Sequence, residues 1–241
     1  YYDKLIHSRF FPVILLLLVA GYAVVIFNLL FLGYLPVLND LQRSRYPLLD
    51  PDANFIAQSN YIVNIEPLRK YLNGIKDKIG QDNVSIYLES LNSGANISVN
   101  KDLTLWPASL AKLPLALVIM NKVEDGTLHL SDMEAVLPSD IDNRSGHLYI
   151  ALPGTSYSID TLISALLIDS DNTAQHMLLR AISPNDMQDL INNTGLDALA
   201  DPQGKISAKE YTRFYRTLYT SSYLTRDDSE KILNLLTQAT F

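Results

Sequence analysis

From Phe10 to Leu35 the chain runs for 26 residues with no formal charge and one polar amide, Asn28. A helix needs about 20 such residues to cross the hydrocarbon core of a bilayer, so this run is long enough to span with some tilt. A cleaved leader has an apolar region of only about 7–15 residues, and no small-x-small site follows here. A buried core helix is the other reading, but core helices normally keep a polar stripe. The expectation is a single transmembrane anchor over 10–35, with an N-terminal flank over 1–9. Lys4 and Arg9 precede the span and Arg43 and Arg45 follow it. The positive-inside count is therefore balanced and does not orient it.

The remaining chain divides on pattern. Residues 36–65, with Pro36, Pro47 and Pro51, show little periodicity and read as a linker. Residues 66–241 read as one domain. Its first segment, Glu66 to Ile79, places Leu68, Tyr71, Leu72, Ile75 and Ile79 at helical spacing. Two alternating runs, Val84–Leu91 and Ala95–Asn100, are joined by Asn92-Ser93-Gly94 and predict a β-hairpin. Ser109–Val123 is apolar almost all round after Lys112, which predicts a buried helix. Within it, Pro114 is expected to loosen one backbone bond. Residues 131–157 read as loop or short strands.

Helices are expected over Ile159–Leu167 and Asn172–Ile182, behind a capping box of Ser207 and Glu210 as far as about Tyr219, and over about Asp227–Thr237. A helix, a hairpin and then a long helical stretch indicate an α+β domain.

Composition narrows the chemistry. With no cysteine, disulfides, thiolate catalysis and cysteine metal sites are excluded. A net charge of −7 without a basic patch argues against nucleic acid as a partner. His7, His129, His147 and His176 have no metal-binding spacing. No metal or other cofactor is expected, and no Gly-rich phosphate loop is present. His176 lies one turn past Ser170 and is placed near any site built there.

The segment Trp106-Pro107-Ala108-Ser109-Leu110-Ala111-Lys112 carries the first chemical signal. Pro107 before an apolar run marks a helix start, and residues three apart share a helix face. A serine hydroxyl needs a base to become a nucleophile, and a lysine serves only when burial or a neighbouring cation lowers its pKa. The apolar surroundings of Lys112 supply burial. By composition roughly one S-x-x-K is expected by chance in a chain of this length. A serine N-cap with a surface lysine explains the tetrapeptide alone equally well.

Ser170-Asp171-Asn172 changes that balance. A serine there can pass a proton to a departing nitrogen. An asparagine can hold a substrate carbonyl and also touch the lysine. These residue types also favour plain capped turns, yet a chance Ser-Asp-Asn arises in only roughly a few per cent of such chains.

The two motifs in this order, 61 residues apart, resemble those of class A β-lactamases and related penicillin-binding proteins. The likeness extends over roughly residues 66–241. It implies a β-lactamase/transpeptidase-like α+β fold, a helical subdomain with an antiparallel sheet. It also implies Ser109 as the acylated nucleophile, Lys112 as base, Ser170 as proton carrier, Asn172 as a substrate-binding side chain and Asp171 as a brace for the turn.

The family's late Lys-Thr/Ser-Gly strand motif does not occur before Phe241, so the sequence reads as a fragment lacking the C-terminal strands. The family's deacylating glutamate belongs between the helix at 173–182 and the helix capped by Ser207. The stretch 195–206 holds only Asp197 and Asp201 as acids, and Glu210 is taken by its cap.

The resemblance thus implies an acyl-enzyme formed with a β-lactam or with a peptidoglycan-stem peptide. A slow-deacylating peptidase or transpeptidase and a non-catalytic binding domain of the same fold stay open beside the lactamase. A monomer at the cell membrane, with an extracytoplasmic domain, is expected.

Overall fold

In the computed structural model, residues 21–24, 26–28, 66–91, 94–196 and 203–239 are described. The chain separates into two units, 1–47 and 48–241. In the first, residues 21–24 and 26–28 are helical. The Asn28 amide donates to the carbonyl of Val24, one turn back, at 2.8 Å, so its own helix satisfies the one polar group of the apolar run. The rest of the expected span over 10–35, the flank over 1–9 and the linker over 36–65 lie outside the described residues. Among those described, no helix is long and apolar enough to cross a membrane.

The second unit opens with α1 (Glu66–Ile79), which packs on the hairpin β1 (Ile86–Glu89) and β2 (Asn96–Val99). The strands are antiparallel with Ile86 opposite Val99. Leu68, Leu72 and Ile75 of α1 meet Ile86, Ile97 and Val99 in a small cluster of their own. Two residues of the expected connection, 92 and 93, are not among those described.

The main core surrounds α2 (Lys112–Glu124), whose first nine residues are all buried. This is the helix expected from its unbroken apolar sequence. It packs against α3 (Ile159–Ile168), α4 (Asn172–Arg180) and α5 (Pro184–Thr194). The start of α2 differs from the sequence reading. Residues Ala108–Ala111 form a 3-10 turn, and α-geometry begins only at Lys112. Pro114 is therefore the third α-helical residue, and the Leu110 carbonyl four residues back, to which a proline has no N–H to offer, accepts from the Tyr211 hydroxyl at 2.9 Å.

The helix α5 was absent from the sequence reading. It is capped by Ser183, whose hydroxyl accepts from the Asp186 N–H while the Asp186 carboxylate accepts from the Ser183 N–H. Gly195 ends it in left-handed conformation, φ 64°. Helix α4 stops at Arg180, two residues short of expectation.

After α5 come β6 (Ile206–Ser207), α6 (Ala208–Tyr219) and α7 (Arg226–Thr237). The capping box predicted at Ser207 is present: its hydroxyl accepts from the Glu210 N–H at 3.2 Å, and Glu210 Oε2 accepts from the Ser207 N–H at 3.2 Å. Among the described residues the remaining strands are short. β3 (Thr104–Leu105) pairs with β6, and β4 (Met133–Ala135) with β5 (Ser156–Ser158). Helix α6 packs on β1, where Arg216 forms an ion pair with Glu89. Helix α7 docks on α3 through Lys231 and Asp160 at 2.5 Å.

Candidate active site

Two local arrangements hold Ser109. The first is the β3–β6 ladder, Thr104 opposite Ser207 and Leu105 opposite Ile206. It lays the segment entering the 3-10 turn along the start of α6. Trp106 then lies over Gly204, where an added Cβ would come within 2.9 Å of the indole ring. The second is Tyr211 of α6, whose hydroxyl donates to the Leu110 carbonyl at 2.9 Å. Burial pushes the Tyr211 phenol well above its usual pKa, so it stays a donor. Ala108, just before the nucleophile candidate, has φ 48°, a left-handed conformation that costs a non-glycine residue about 1–2 kcal/mol.

The outcome is an exposed Ser109 on the wall of a cavity of about 700 Å³ that it shares with Lys112, Ser170 and Tyr211.

One helical turn on, Lys112 is buried, with 3% of its surface exposed. Its Nζ donates to the Ser170 Oγ at 2.9 Å, to the Asn172 Oδ1 at 2.8 Å and to the Ser170 carbonyl. Burial lowers its pKa below the ordinary lysine value, while the nearby charges of Asp171 and Asp142 act in the opposite direction. Desolvation dominates, and the neutral amine is correspondingly easier to reach than in a free lysine. Its hydrogen bonds run to the Ser170–Asn172 turn and not to Ser109, so the predicted pair shares a cavity without a direct bond.

The turn itself is strained and braced. Ser170 is buried with φ 52°, which presents both its carbonyl and its hydroxyl to Lys112. Asp171 is the N-cap of α4: Oδ1 accepts from the Ala174 N–H at 2.8 Å. Its Oδ2 accepts from the N–H groups of His147 at 2.5 Å and Leu148 at 2.7 Å. This carboxylate, 1% exposed, ties the 145–148 loop to the turn, and the Asn172 N–H adds a bond to the Ser145 carbonyl at 3.1 Å. Gly146, at φ 87°, lies so close that a Cβ there would overlap the Asp171 side chain and its Cα.

Asp142 and Arg144 were not singled out by sequence reasoning, yet they border this turn. The Asp142 carboxylate accepts from the Arg144 Nε at 3.0 Å and from its backbone N–H at 2.9 Å. Arg144, and after it Asn172, hold the Asp142 carboxyl well below the usual carboxylate range. His176, expected near the site, has its Nε2 3.5 Å from Asp142. It belongs to this outer group and not beside Ser109. Of the stretch 195–206, where a deacylating acid is expected, residues 197–202, with Asp197 and Asp201, lie outside those described. Glu210 is held in its cap.

A family model described as the beta-lactamase enzyme family matches residues 67–241. No curated protein matches the chain. Among solved structures, a β-lactamase from Sphaerobacter thermophilus is 19% identical with a TM-score of 0.66, over 73% of this chain and 71% of its own. The structure of PBP-A is 20% identical with a TM-score of 0.63, over 72% and 70%. A PBP-A mutant solved as an acyl-enzyme complex with penicillin G is 20% identical with a TM-score of 0.60, over 70% of each chain. These likenesses establish the fold, the β-lactamase/transpeptidase-like α+β architecture with mostly helical content.

Proposed function

The chain belongs to the beta-lactamase enzyme family, and on that premise we propose that it is a membrane-anchored serine hydrolase acylated at Ser109 by β-lactams or related amides. The observation that carries this is Lys112. A buried lysine with a lowered pKa, held by the Ser170–Asn172 turn in a cavity shared with an exposed serine, supplies the base that a serine nucleophile needs.

In the proposed step Ser109 Oγ attacks the amide carbonyl carbon while its proton passes to neutral Lys112 Nζ. The carbonyl π electrons move to oxygen, where the backbone N–H of Ser109, at the start of the helical run, is a suitable donor. On collapse the C–N bond breaks. Ser170 gives its proton to the departing nitrogen and is reprotonated by Lys112, 2.9 Å away. Asn172 keeps the amine in place. The products are an ester on Ser109 and an amine, which stays tethered to the acyl group when the substrate is a β-lactam and departs when it is an open-chain amide. Phe10–Leu35 serves in this reading as a single-pass anchor, with the domain on the extracytoplasmic side.

A reading with slow deacylation has one specific observation in its favour: residues 195–206 contain no glutamate to activate water. The acyl-enzyme would then persist, as expected of a penicillin-binding peptidase.

A fluorescent penicillin tests the proposal. The protein is expected to carry a covalent label that peptide mass spectrometry maps to Ser109. No adduct would refute the acyl-transfer reading. A label that lasts hours would favour the peptidase, and one lost within seconds the lactamase.

The pH dependence follows from burial of Lys112. The neutral amine is the base, so acylation is expected to fall as pH drops through the folded-state pKa, which lies below the ordinary lysine value of 10.5. The same shift means that protonated Lys112 works against folding at every pH below that point, a cost that vanishes above the unfolded-state pKa. A labelling rate that climbs only with the titration of an ordinary lysine would show that Lys112 is not the base.

A further inference from the structure

Helix α6 presents two unlike faces. Tyr211, Tyr215 and Tyr219 line the cavity that holds Ser109. Lys209, Arg213 and Arg216, at helical spacing on another face, line a separate cavity of about 360 Å³ against β1 and the end of α5. That volume lies within the range of ligand pockets. Among the described residues, none is common to the two linings.

The charged residues of the second lining, among those described, are these three cations and Glu89. Glu89 is already satisfied: one carboxylate oxygen pairs with Arg216, and the other accepts from the Tyr87 hydroxyl at 3.4 Å. Arg213 gives one N–H to the Gly195 carbonyl, at the end of α5, at 2.5 Å. A guanidinium carries five N–H donors, so both arginines keep donors over. The Lys209 ammonium makes no hydrogen bond or ion pair among the described residues. The cavity is thus a basic recess in a chain whose net charge is −7.

The hydroxyl groups make this recess a site. A helical threonine ordinarily donates to the carbonyl three or four residues back. Around this cavity Thr194, Thr212 and Thr220 do so, at 2.6, 2.7 and 2.9 Å. Thr217 does not. It is 8% exposed and lines the cavity, yet among the described residues its hydroxyl makes no hydrogen bond. Buried hydroxyls are as a rule paired, because an unpaired one has lost its water without replacement. This one lies among cations, so the partner that fits it is an acceptor carrying negative charge.

We propose that this cavity binds a phosphate group, free or carried as a monoester, with Thr217, Lys209, Arg213 and Arg216 as its donors. Four donors suit a tetrahedral anion better than a carboxylate with two oxygens, and guanidinium forks match phosphate geometry. The cavity volume equals that of roughly twelve waters, which leaves room for the carbon chain of an ester. The site does not depend on the acyl-transfer reading, because none of its residues lines the Ser109 cavity.

Calorimetric titration of the full chain with sodium phosphate tests the proposal. An ionic strength of about 0.15 M screens charges more than about 8 Å apart. One phosphate per chain is expected to bind saturably. Thr217→Val keeps the shape, removes the hydroxyl and alters no charge. It is expected to weaken binding about tenfold, the size of one charge-assisted hydrogen bond. Its Tm is expected to stay unchanged or rise, since the hydroxyl has no protein partner to lose. Arg213→Gln is expected to weaken binding at least as much. Lys70→Gln removes the same charge from an exposed position on α1 and is expected to change binding less than about twofold.

No saturable binding of phosphate would overturn the proposal. So would an affinity unmoved by Thr217→Val, which stays readable if the arginine variant fails to fold. Equal losses in Arg213→Gln and Lys70→Gln would reduce the effect to overall charge and sink the site as well. Titration with glycerol 3-phosphate separates the sources. Tighter binding than that of inorganic phosphate assigns the cavity to an ester, equal or weaker binding assigns it to the free anion, and either upholds a phosphate site.

Discussion

Alanine at position 109 is expected to abolish covalent penicillin labelling, at least about a thousandfold in acylation rate, and to leave the fold intact. Ser109 is exposed, and surface substitutions of this kind usually stay within about 0.5 kcal/mol. The same experiment at Lys112 would be less clean. Truncating Lys112 removes the proposed base but also strips a buried donor from Ser170 and Asn172, and a buried acceptor left unpaired costs about 1–3 kcal/mol. Loss of function there would mix chemistry with folding. Ser109→Ala isolates the nucleophile, and label retained by it on another serine would show that the assignment is wrong.

Gly146→Ala is expected to have the largest effect on stability, about 3 kcal/mol or more. Two penalties coincide. The backbone at φ 87° disfavours any Cβ, at about 1–2 kcal/mol, and the new methyl would overlap Asp171, a clash of the overpacking kind that costs typically about 1–3 kcal/mol. Asp171 cannot yield without giving up the N–H groups of His147 and Leu148. Gly154→Ala is the control: φ is 91° there, but a Cβ would meet nothing within 4 Å, so only the backbone penalty remains. Denaturant melts of both variants measure the difference. Equal losses would mean that Asp171 does not anchor the loop. A destabilised Gly146→Ala protein that still folds is also expected to acylate slowly, because Asp171 and Asn172 share one turn.

Much of this arrangement was legible in the sequence, for reasons that vary by residue. Periodicity placed α1 at Glu66–Ile79, as found. Side-chain capping, a local interaction, identified Ser207 with Glu210. The same rule would have found α5, since Ser183-Pro184-Asn185-Asp186 carries a capping serine, a proline in the first turn and an acid at the third position. The start of α2 was misplaced by three residues, because periodicity does not distinguish a 3-10 turn from the first turn of an α-helix.

At the site, the burial of Lys112 was readable from its apolar surroundings, and the bracing role of Asp171 was implied by the resemblance. The positive φ of Ser170, which aims its carbonyl at Lys112, was not, because serine does not advertise a left-handed conformation as glycine does. Nor was Asp142, whose backbone N–H donates to the Thr173 hydroxyl, 31 positions away, a contact that only tertiary structure makes.

The ties around Ser109 also set a timetable. The Leu110 carbonyl is held by Tyr211, 101 residues later, and Glu89 is paired with Arg216, 127 residues later. Closing loops of that length is entropically costly, and contacts so distant in sequence form slowly. During synthesis the serine emerges long before the helix that fixes its backbone. Until α6 has been made and has docked, the nascent chain carries Ser109 and Lys112 without the fixed backbone that the proposed acylation needs.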